Sequence, residues 1–564
     1  MACNFLCAVG RHGASLSLHS SLRRASQKTR TPLPPKYTQA AASSSSTSLA
    51  HEDNADSQLH NGEGRAFESR KKSYFPKKNE VVELVCESLA FKGKGVCKIA
   101  ESGFVVMCDR ALPGERFIGR ITRIKKGRFA EVKKLKTLSP HNNCVIAPCE
   151  HAIDCGGCKT QNLAYEAQVK AKEQQVRELM VHIGRFPIQG HEDYMKPIVP
   201  CDVQFHYRNK MEFSFGTKSW LPEDTINGKD GREMNKPALG LHVPGCFDKI
   251  LPIKNCLLQH KVANHVLAIV QECWQDPMSN LSAYDVYKHN GFLKHLTIRT
   301  GRDYDTGSLQ IMVNLVTSCY KPTLLQPIVK KIVDTIPEVV SILNSVNTSV
   351  GNTSIGEEEY VLHGNNSITE TLRGLTFEIS ANSFFQTNTQ QADVLYSLVE
   401  AAASLRGDSS EIVLDLFCGT GTIGLTLAKK VKYVYGYEVV PEAVADARRN
   451  AARNDIQNAK FIQGDLNKVG DDFGNEFPHP DIVITDPNRP GMHTKLIRFL
   501  LKLRAPRIIY VSCNPATCAR DLDYLCHGLP ESKILGAYRL KSIQPVDMFP
   551  HTPHIECVCL LELS

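Results

Sequence analysis

No run of about 18 apolar residues occurs anywhere in the chain, so neither a transmembrane helix nor a membrane partner is expected. Acidic residues are missing altogether from residues 1–50, a stretch that holds Arg11, Arg23, Arg24, Lys28, Arg30, Lys36 and many serines. An acid-poor, Ser- and Arg-rich leader reads as an organelle transit peptide. The bland alternative is a plain disordered tail. Residues 1–72 are set aside from the fold as leader and linker. Few well-spaced arginines in a Ser-rich leader lean towards the chloroplast, with the mitochondrion as the alternative. A disulfide framework is excluded on other grounds. Such frameworks staple small secreted domains, whereas this chain has 564 residues and 20 cysteines, many in apolar runs such as "IECVCLL".

What is present is ordinary globular composition: 42% hydrophobic and 22% charged residues, with a formal net charge of +8. The length suggests three or four domains at roughly 100–200 residues each. The net charge is mild, so its local distribution says more. Residues 73–140 carry short β-branched or alternating runs punctuated by Gly93, Gly95, Gly103, Pro113 and Gly114, which predicts a small barrel of oligonucleotide-binding type. Its last third gathers Arg120, Arg123, Lys125, Lys126, Arg128, Lys133, Lys134 and Lys136. Such a cluster suits a phosphate backbone, or is simply a solvated face.

Residues 141–375 open with cysteines, continue into the helical "LAYEAQVKAKEQQVRELMVHIG", and then mix strands with helices as an α+β region. Residues 376–564 alternate strand and helix, which predicts a doubly wound parallel sheet. In "VLDLFCGTGTIGL" a strand ends at Asp415 and the Gly419-x-Gly421 loop opens a helix. A glycine turn alone also fits a dinucleotide. Asp415 at the strand end, Glu438 closing the next strand where it can accept ribose hydroxyls, and a strand running into Asp486-Pro487 favour S-adenosylmethionine. "RIIYVSCNPATCARD" puts Cys513 at the carboxyl end of a buried strand, the side on which sheet ligands bind. The competing reading is a buried structural thiol, the role given to Cys418 and Cys518.

"FFQTN", "LDLFCGTGTIGL", "YGYE", "DPNRPG", "YVSCNPAT" and "DMFPHTPHIE" stand in the order typical of the RNA uracil-C5 methyltransferases, which residues 77–564 resemble. The segment around "FKGKGVCKI" resembles the TRAM domain, an RNA-binding barrel. Barrel and cysteine cluster together resemble the branch that holds the bacterial ribosomal-RNA enzymes. The resemblance implies a class I, Rossmann-like methyltransferase domain acting on RNA; a monomer is expected. Cys513 would be the nucleophile that adds to carbon 6, and Glu556 the base that removes the carbon 5 proton. Gln386, Phe417, Glu438 and Asp486 would hold the cofactor. Asn488 and Pro553 depart from the family's usual residues and leave loop geometry and substrate choice open.

"PCEHAIDCGGCKTQ" gives Cys149-x5-Cys155-x2-Cys158, thiolates that suit zinc or an iron–sulfur cluster. The fourth ligand could be Cys144, Cys201, Cys246 or Cys256. The resemblance selects Cys256 and a [4Fe–4S] cluster. Three rivals remain: a radical methylthiotransferase, disfavoured because its cysteines are spaced x3 then x2; a catalytically silent RNA-binding factor; and a cytosine-C5 methyltransferase, whose nucleophile sits in Pro-Cys or Thr-Cys. The expected substrate is organellar ribosomal RNA, with transfer RNA second.

Overall fold

The computed structural model describes residues 75–564, apart from 91, 100–101, 126–128, 188–193, 221–235, 352 and 471–472. The leader assigned to residues 1–72 lies outside the described residues, as do Lys126 and Arg128 of the basic cluster. Among the described residues no helix is long and apolar enough to cross a membrane.

The chain first forms a closed barrel from β1 (Val81–Ala90), β2 (Lys94–Ile99), β3 (Val105–Asp109), β4 (Arg116–Lys125) and β5 (Phe129–Ser139), in the order β1-β2-β3-β5-β4. Alternation sends Leu84, Cys86, Cys97, Val106, Cys108, Phe117 and Ile121 inward, so three of the twenty cysteines are core packing here. The bore is narrow: a Cβ on Gly119 would lie 2.3 Å from Val132 Cγ1. Arg120, Arg123, Lys125 and Lys136 stay exposed on β4 and β5. Lys134 does not. It turns inward and pairs with the buried Glu115 at 2.8 Å, so it supports the barrel rather than the basic face.

Helix α1 (Tyr165–His182) buries an unusual stripe for its composition: Gln168, Lys172, Gln175, Val176 and Met180. Val176 and Met180 join the apolar core of the C-terminal sheet. The polar members of the stripe are needed elsewhere, as the site shows.

The middle layer is a seven-stranded sheet of order β12-β11-β10-β9-β6-β7-β8. Its strands are β6 (Lys210–Gly216), β7 (Ala238–His242), β8 (Ile250–Pro252), β9 (Leu293–Arg302), β10 (Leu309–Thr317), β11 (Val339–Val346) and β12 (Glu358–Gly364). Helices α2 (Lys261–Gln275) and α3 (Pro322–Thr335) cover the face that carries Leu296, Ile298, Val313, Leu315 and Ile342. Strand periodicity gives the opposite face His295, Thr297, Arg299, Asn314 and Ser341, all buried.

The hairpin β13 (Ser367–Leu372) and β14 (Leu375–Ser380) leads into α4 (Thr389–Ala403). A second seven-stranded sheet follows. Its elements are β15 (Ile412–Leu416), α5 (Thr422–Ala428), β16 (Tyr433–Glu438), α6 (Pro441–Arg453), β17 (Ala459–Gln463), β18 (Ile482–Thr485), α7 (Thr494–Leu503), β19 (Arg507–Ser512), α8 (Pro515–His527), β20 (Tyr538–Val546) and β21 (Glu556–Leu563). The order is β17-β16-β15-β18-β19-β21-β20. The first five are parallel, and β21 runs antiparallel to both β19 and β20. The strand order reverses between β15 and β18, the point where open α/β sheets leave a crevice at their carboxyl ends.

Candidate active site

Two groups of side chains meet at that carboxyl edge. The first surrounds the glycine loop. Asp415 is buried in β15, with Oδ2 accepting from Gly424 N–H at 2.9 Å and Oδ1 left without a protein partner. Burial is the main cause that lifts its carboxyl to about 7, opposed by the Gly424 N–H and reinforced by Asp486 and Glu438. Phe417 follows the strand at φ +62°, a left-handed conformation that non-glycine residues adopt at a cost, as functional turns often do. Gly421 caps α5 at φ +79°. Glu438, at the end of β16, already serves the loop. One oxygen accepts from Gly419 N–H at 3.1 Å, the other from Val439 and Val440 at 2.8 and 3.0 Å. A carboxylate has about four acceptor sites, so capacity for a hydroxyl remains. Gln386 is buried nearby, its side chain bonded to the Tyr396 hydroxyl. An orphaned carboxylate oxygen, a second carboxylate on the adjacent strand and open backbone between them fit the polar groups of S-adenosylmethionine.

The second group is set by sheet register. Ser512 on β19 pairs with Cys557 on β21, so Cys513 and Glu556, one step further, sit side by side. Asp486 leaves neighbouring β18 at the same edge, its N–H bonded to Leu416 O at 3.3 Å. Cys513 is half-buried, unlike the fully packed Cys518 and the buried Cys418. Burial pushes its thiol up, and Glu556 and Asp486 add to that; Arg489 pulls it down. Glu556 is buried, and burial followed by Asp486 holds its carboxyl far above the usual range, again opposed by Arg489. Asp486 is lifted to about 7 by burial. The chain thus holds a carboxyl and a thiol together in a place shielded from water.

Arg489 is not among the residues the motifs single out, although a cation inside "DPNRPG" is itself a signal. Its loop is fastened to the start of α8, because Asn514 Nδ2 and Thr517 Oγ1 donate to Arg489 O at 2.8 and 3.0 Å.

The polar stripe of α1 holds the segment that delivers Glu556. Lys172 pairs with Asp547 at 2.6 Å, both buried, and Tyr165 donates to the same carboxylate at 2.9 Å. Gln168 reaches His551 Nδ1 at 3.1 Å, and His551 stacks on Phe205 at 4.3 Å. Lys159 and Thr160 N–H groups donate to His551 O at 2.8 and 3.2 Å. A Cβ on Gly93, in the barrel, would lie 3.0 Å from Pro553 Cβ, so the unusual Pro553 packs against the barrel.

The cysteine segment lies between barrel and this loop. Arg110 donates to the carbonyls of Ala152 and, at 2.7 Å, Cys155, while Asp109 pairs with Lys159 at 2.9 Å. Burial pushes up the thiols of Cys149, Cys158 and Cys256, and each is pushed further by cysteines close by: Cys155 and Cys256 act on Cys149 and Cys158, and Cys155 acts on Cys256. They do not converge. Among the described residues no three His, Cys, Asp or Glu side chains are arranged to hold a metal ion. Cys158 packs with Tyr207 and Leu258, Cys155 borders the middle-sheet core, and Cys256 borders both. The four cysteines expected as ligands are thus neighbours but, among the described residues, not a metal-holding group.

A family model described as tRNA (uracil-5-)-methyltransferase matches residues 342–564. An uncharacterized RNA methyltransferase of Chlorobaculum tepidum is 37% identical over 494 residues, covering 86% of this chain and 97% of that protein. One from Porphyromonas gingivalis is 38% identical over 478 residues, covering 84% and 98%. Among solved structures, the Pyrococcus abyssi tRNA (uracil-54, C5)-methyltransferase in complex with S-adenosyl-L-homocysteine aligns over 85% of this chain and 99% of its own, at 27% identity and a TM-score of 0.63.

Proposed function

This chain belongs to the S-adenosylmethionine-dependent RNA uracil-C5 methyltransferase family, and we propose that it methylates carbon 5 of a uridine through a covalent bond from Cys513 Sγ to carbon 6. The observation that carries this reading is the meeting of Cys513, Glu556 and Asp486 at one sheet edge. S-adenosylmethionine supplies an electrophilic methyl group when bound, and Gln386, Phe417, Glu438 and Asp486 are the residues we assign to holding it.

The uracil carbon 5 is a poor nucleophile. Cys513 loses its thiol proton to solvent, and the thiolate sulfur adds to carbon 6 as the carbon 5–carbon 6 double bond opens, which moves electron density onto carbon 5 and the neighbouring carbonyl. The target must leave its stack for sulfur to approach from above the ring. After methyl transfer, the ionised Glu556 takes the carbon 5 proton, the sulfur–carbon 6 bond breaks, and the thiolate is restored. Arg489 favours the charged form of both groups, which is what addition and elimination each require. Incubating wild type and Cys513→Ala with S-adenosylmethionine and RNA tests the scheme. Wild type forms 5-methyluridine; Cys513→Ala binds both ligands and forms none. A 5-fluorouridine RNA is trapped on the wild type alone. Turnover by Cys513→Ala, or trapping at Cys418 or Cys518, would overturn the assignment.

Further readings rest on the same family. We assign RNA docking to the exposed basic face of the barrel, and an organellar ribosomal RNA as substrate, with import into the chloroplast ahead of the mitochondrion. The name of the solved relative favours transfer RNA as a second reading. Mapping 5-methyluridine in organelle RNA with and without the protein decides between them. We also assign a [4Fe–4S] cluster to Cys149, Cys155, Cys158 and Cys256, supported by the closeness of the four thiols and by the Gly157 N–H that donates to Cys155 Sγ at 3.4 Å. Its place between barrel and Glu556 loop suits a structural role, since the reaction transfers no electrons. Protein purified anaerobically would carry about four irons per chain; stoichiometric zinc without sulfide would refute the cluster.

A further inference from the structure

The segment Ser383–Gln386 joins β14 to α4 and presents Gln386 to the cofactor crevice. Its carbonyls are gripped from three sides. Thr420 of the glycine loop donates to Phe384 O at 3.3 Å. The other two grips come from the middle sheet. Arg299 Nη2, on β9, donates to Ser383 O. Asn209 Nδ2, at the start of β6, donates to Gln386 O at 2.9 Å and to Thr389 Oγ1 at 2.8 Å. These two residues are braced together, because Thr300 N–H donates to Asn209 O at 2.8 Å and Lys210 pairs in register with Arg299.

Arg299 is an expensive residue for this place. It is 3% exposed, its Nε–H has no protein partner, and burial pulls the guanidinium down to about 10 despite Glu212, Asp446 and Glu359 nearby. A methionine of similar volume would fill the layer without burying a cation. What the guanidinium adds is a charge-assisted hydrogen bond to Ser383.

We infer that Arg299 and Asn209 are positioning residues for the cofactor, fixing the Ser383–Gln386 segment from the middle sheet so that Gln386 is preset for S-adenosylmethionine. This rests on the assignment of Gln386 to the cofactor. The middle sheet is then part of the cofactor site although none of its side chains need touch the ligand. Its effect is preorganisation: without the grips, ordering the segment is charged against binding.

The test measures S-adenosylhomocysteine affinity by calorimetry, with Michaelis constants and melting temperatures, on the full chain. Asn209→Ala, Arg299→Met, Arg299→Lys and Gln386→Ala are compared. Asn209→Ala and Arg299→Met weaken S-adenosylhomocysteine binding and raise the KM for S-adenosylmethionine by about tenfold each. At saturating cofactor the kcat and the KM for RNA stay within about twofold of wild type. Arg299→Lys, which can still donate, recovers part of the loss. A merely structural Arg299 would lower the melting temperature and leave cofactor affinity alone; that outcome overturns the inference. Asn209 is only half-buried, so its alanine variant keeps the test open if Arg299→Met does not fold. Loss of affinity in Gln386→Ala alone would sink the grip and spare the cofactor assignment. Unchanged affinity in Gln386→Ala would sink both.

Discussion

The two thiol sites of this chain were built in opposite ways. Cys513 meets partners 27 and 43 residues away in the chain, Asp486 and Glu556, yet the three converge. Cys149, Cys155 and Cys158 are neighbours in sequence, yet with Cys256 they only approach one another. The difference lies in what carries them. Strands β18, β19 and β21 are hydrogen-bonded neighbours, so register alone fixes which residues share an edge. Cys149, Cys155 and Cys158 ride on a loop fastened through its backbone, by Arg110 to the carbonyls of Ala152 and Cys155, and no shared strand register aligns their sulfurs with Cys256. Register therefore sets the sheet-edge group before any ligand is bound, whereas the cysteine group has no such frame.

If rigidity serves chemistry at the sheet edge, changing one group without changing shape must separate the steps. Glu556→Gln is expected to lower turnover by about 10²–10⁴-fold, the range for loss of a general base. Methyl transfer still proceeds, so a protein–RNA adduct accumulates and is read by gel shift under denaturing conditions. Normal turnover in Glu556→Gln would show that the proton leaves by another route. The comparison is sharpened by Lys172→Met. That change strands Asp547, a buried carboxylate, and is expected to cost about 3–5 kcal/mol by urea denaturation. A loss below about 1 kcal/mol would mean that the charge is tolerated by hydration, as for exposed pairs, and that the Glu556 loop is not held by α1.

Sequence and structure agree where local pattern decides. Helix α1 falls inside "LAYEAQVKAKEQQVRELMVHIG", Asp415 and Glu438 stand at or beside their strand ends, and the barrel closes over the stretch of short strands. Agreement stops where tertiary contacts decide. Nothing in the spacing marks Lys172 for Asp547, 375 residues on, or Arg299 for Ser383. A basic cluster reads as one face, but the pleat turned Lys134 inward to Glu115. Cysteine spacing likewise picks out Cys149, Cys155 and Cys158 as candidates without fixing how their sulfurs sit, and among the described residues they form no metal-holding group.

The loop site can be probed without touching the sheet edge. On the proposed cluster, Cys155→Ser is expected to abolish iron binding and lower the melting temperature, because metal binding to a site of that kind is coupled to folding. The folded fraction should still form the Cys513 adduct with 5-fluorouridine RNA at a wild-type rate. A slowed adduct rate in fully folded protein would break the separation between the two sites.

Arg489 offers the mildest and most specific test. Burial, Glu556 and Asp486 all disfavour the Cys513 thiolate, and the Arg489 cation opposes them. Removing it therefore raises the pH at which the thiolate forms. Below that pH the thiolate fraction falls tenfold for each unit by which the value rises, and it is recovered as pH increases. Arg489 is exposed, so water and salt weaken its field. For Arg489→Gln we expect single-turnover adduct formation at neutral pH to slow by about threefold to tenfold. The rate should return towards wild type in alkaline buffer, and the difference should shrink at high salt. A phosphate-binding arginine would behave otherwise: RNA affinity would fall, and the pH profile of the bound complex would keep its midpoint. A shift of the profile towards acid would contradict the electrostatic reading outright, since loss of a cation cannot make a thiolate easier to form.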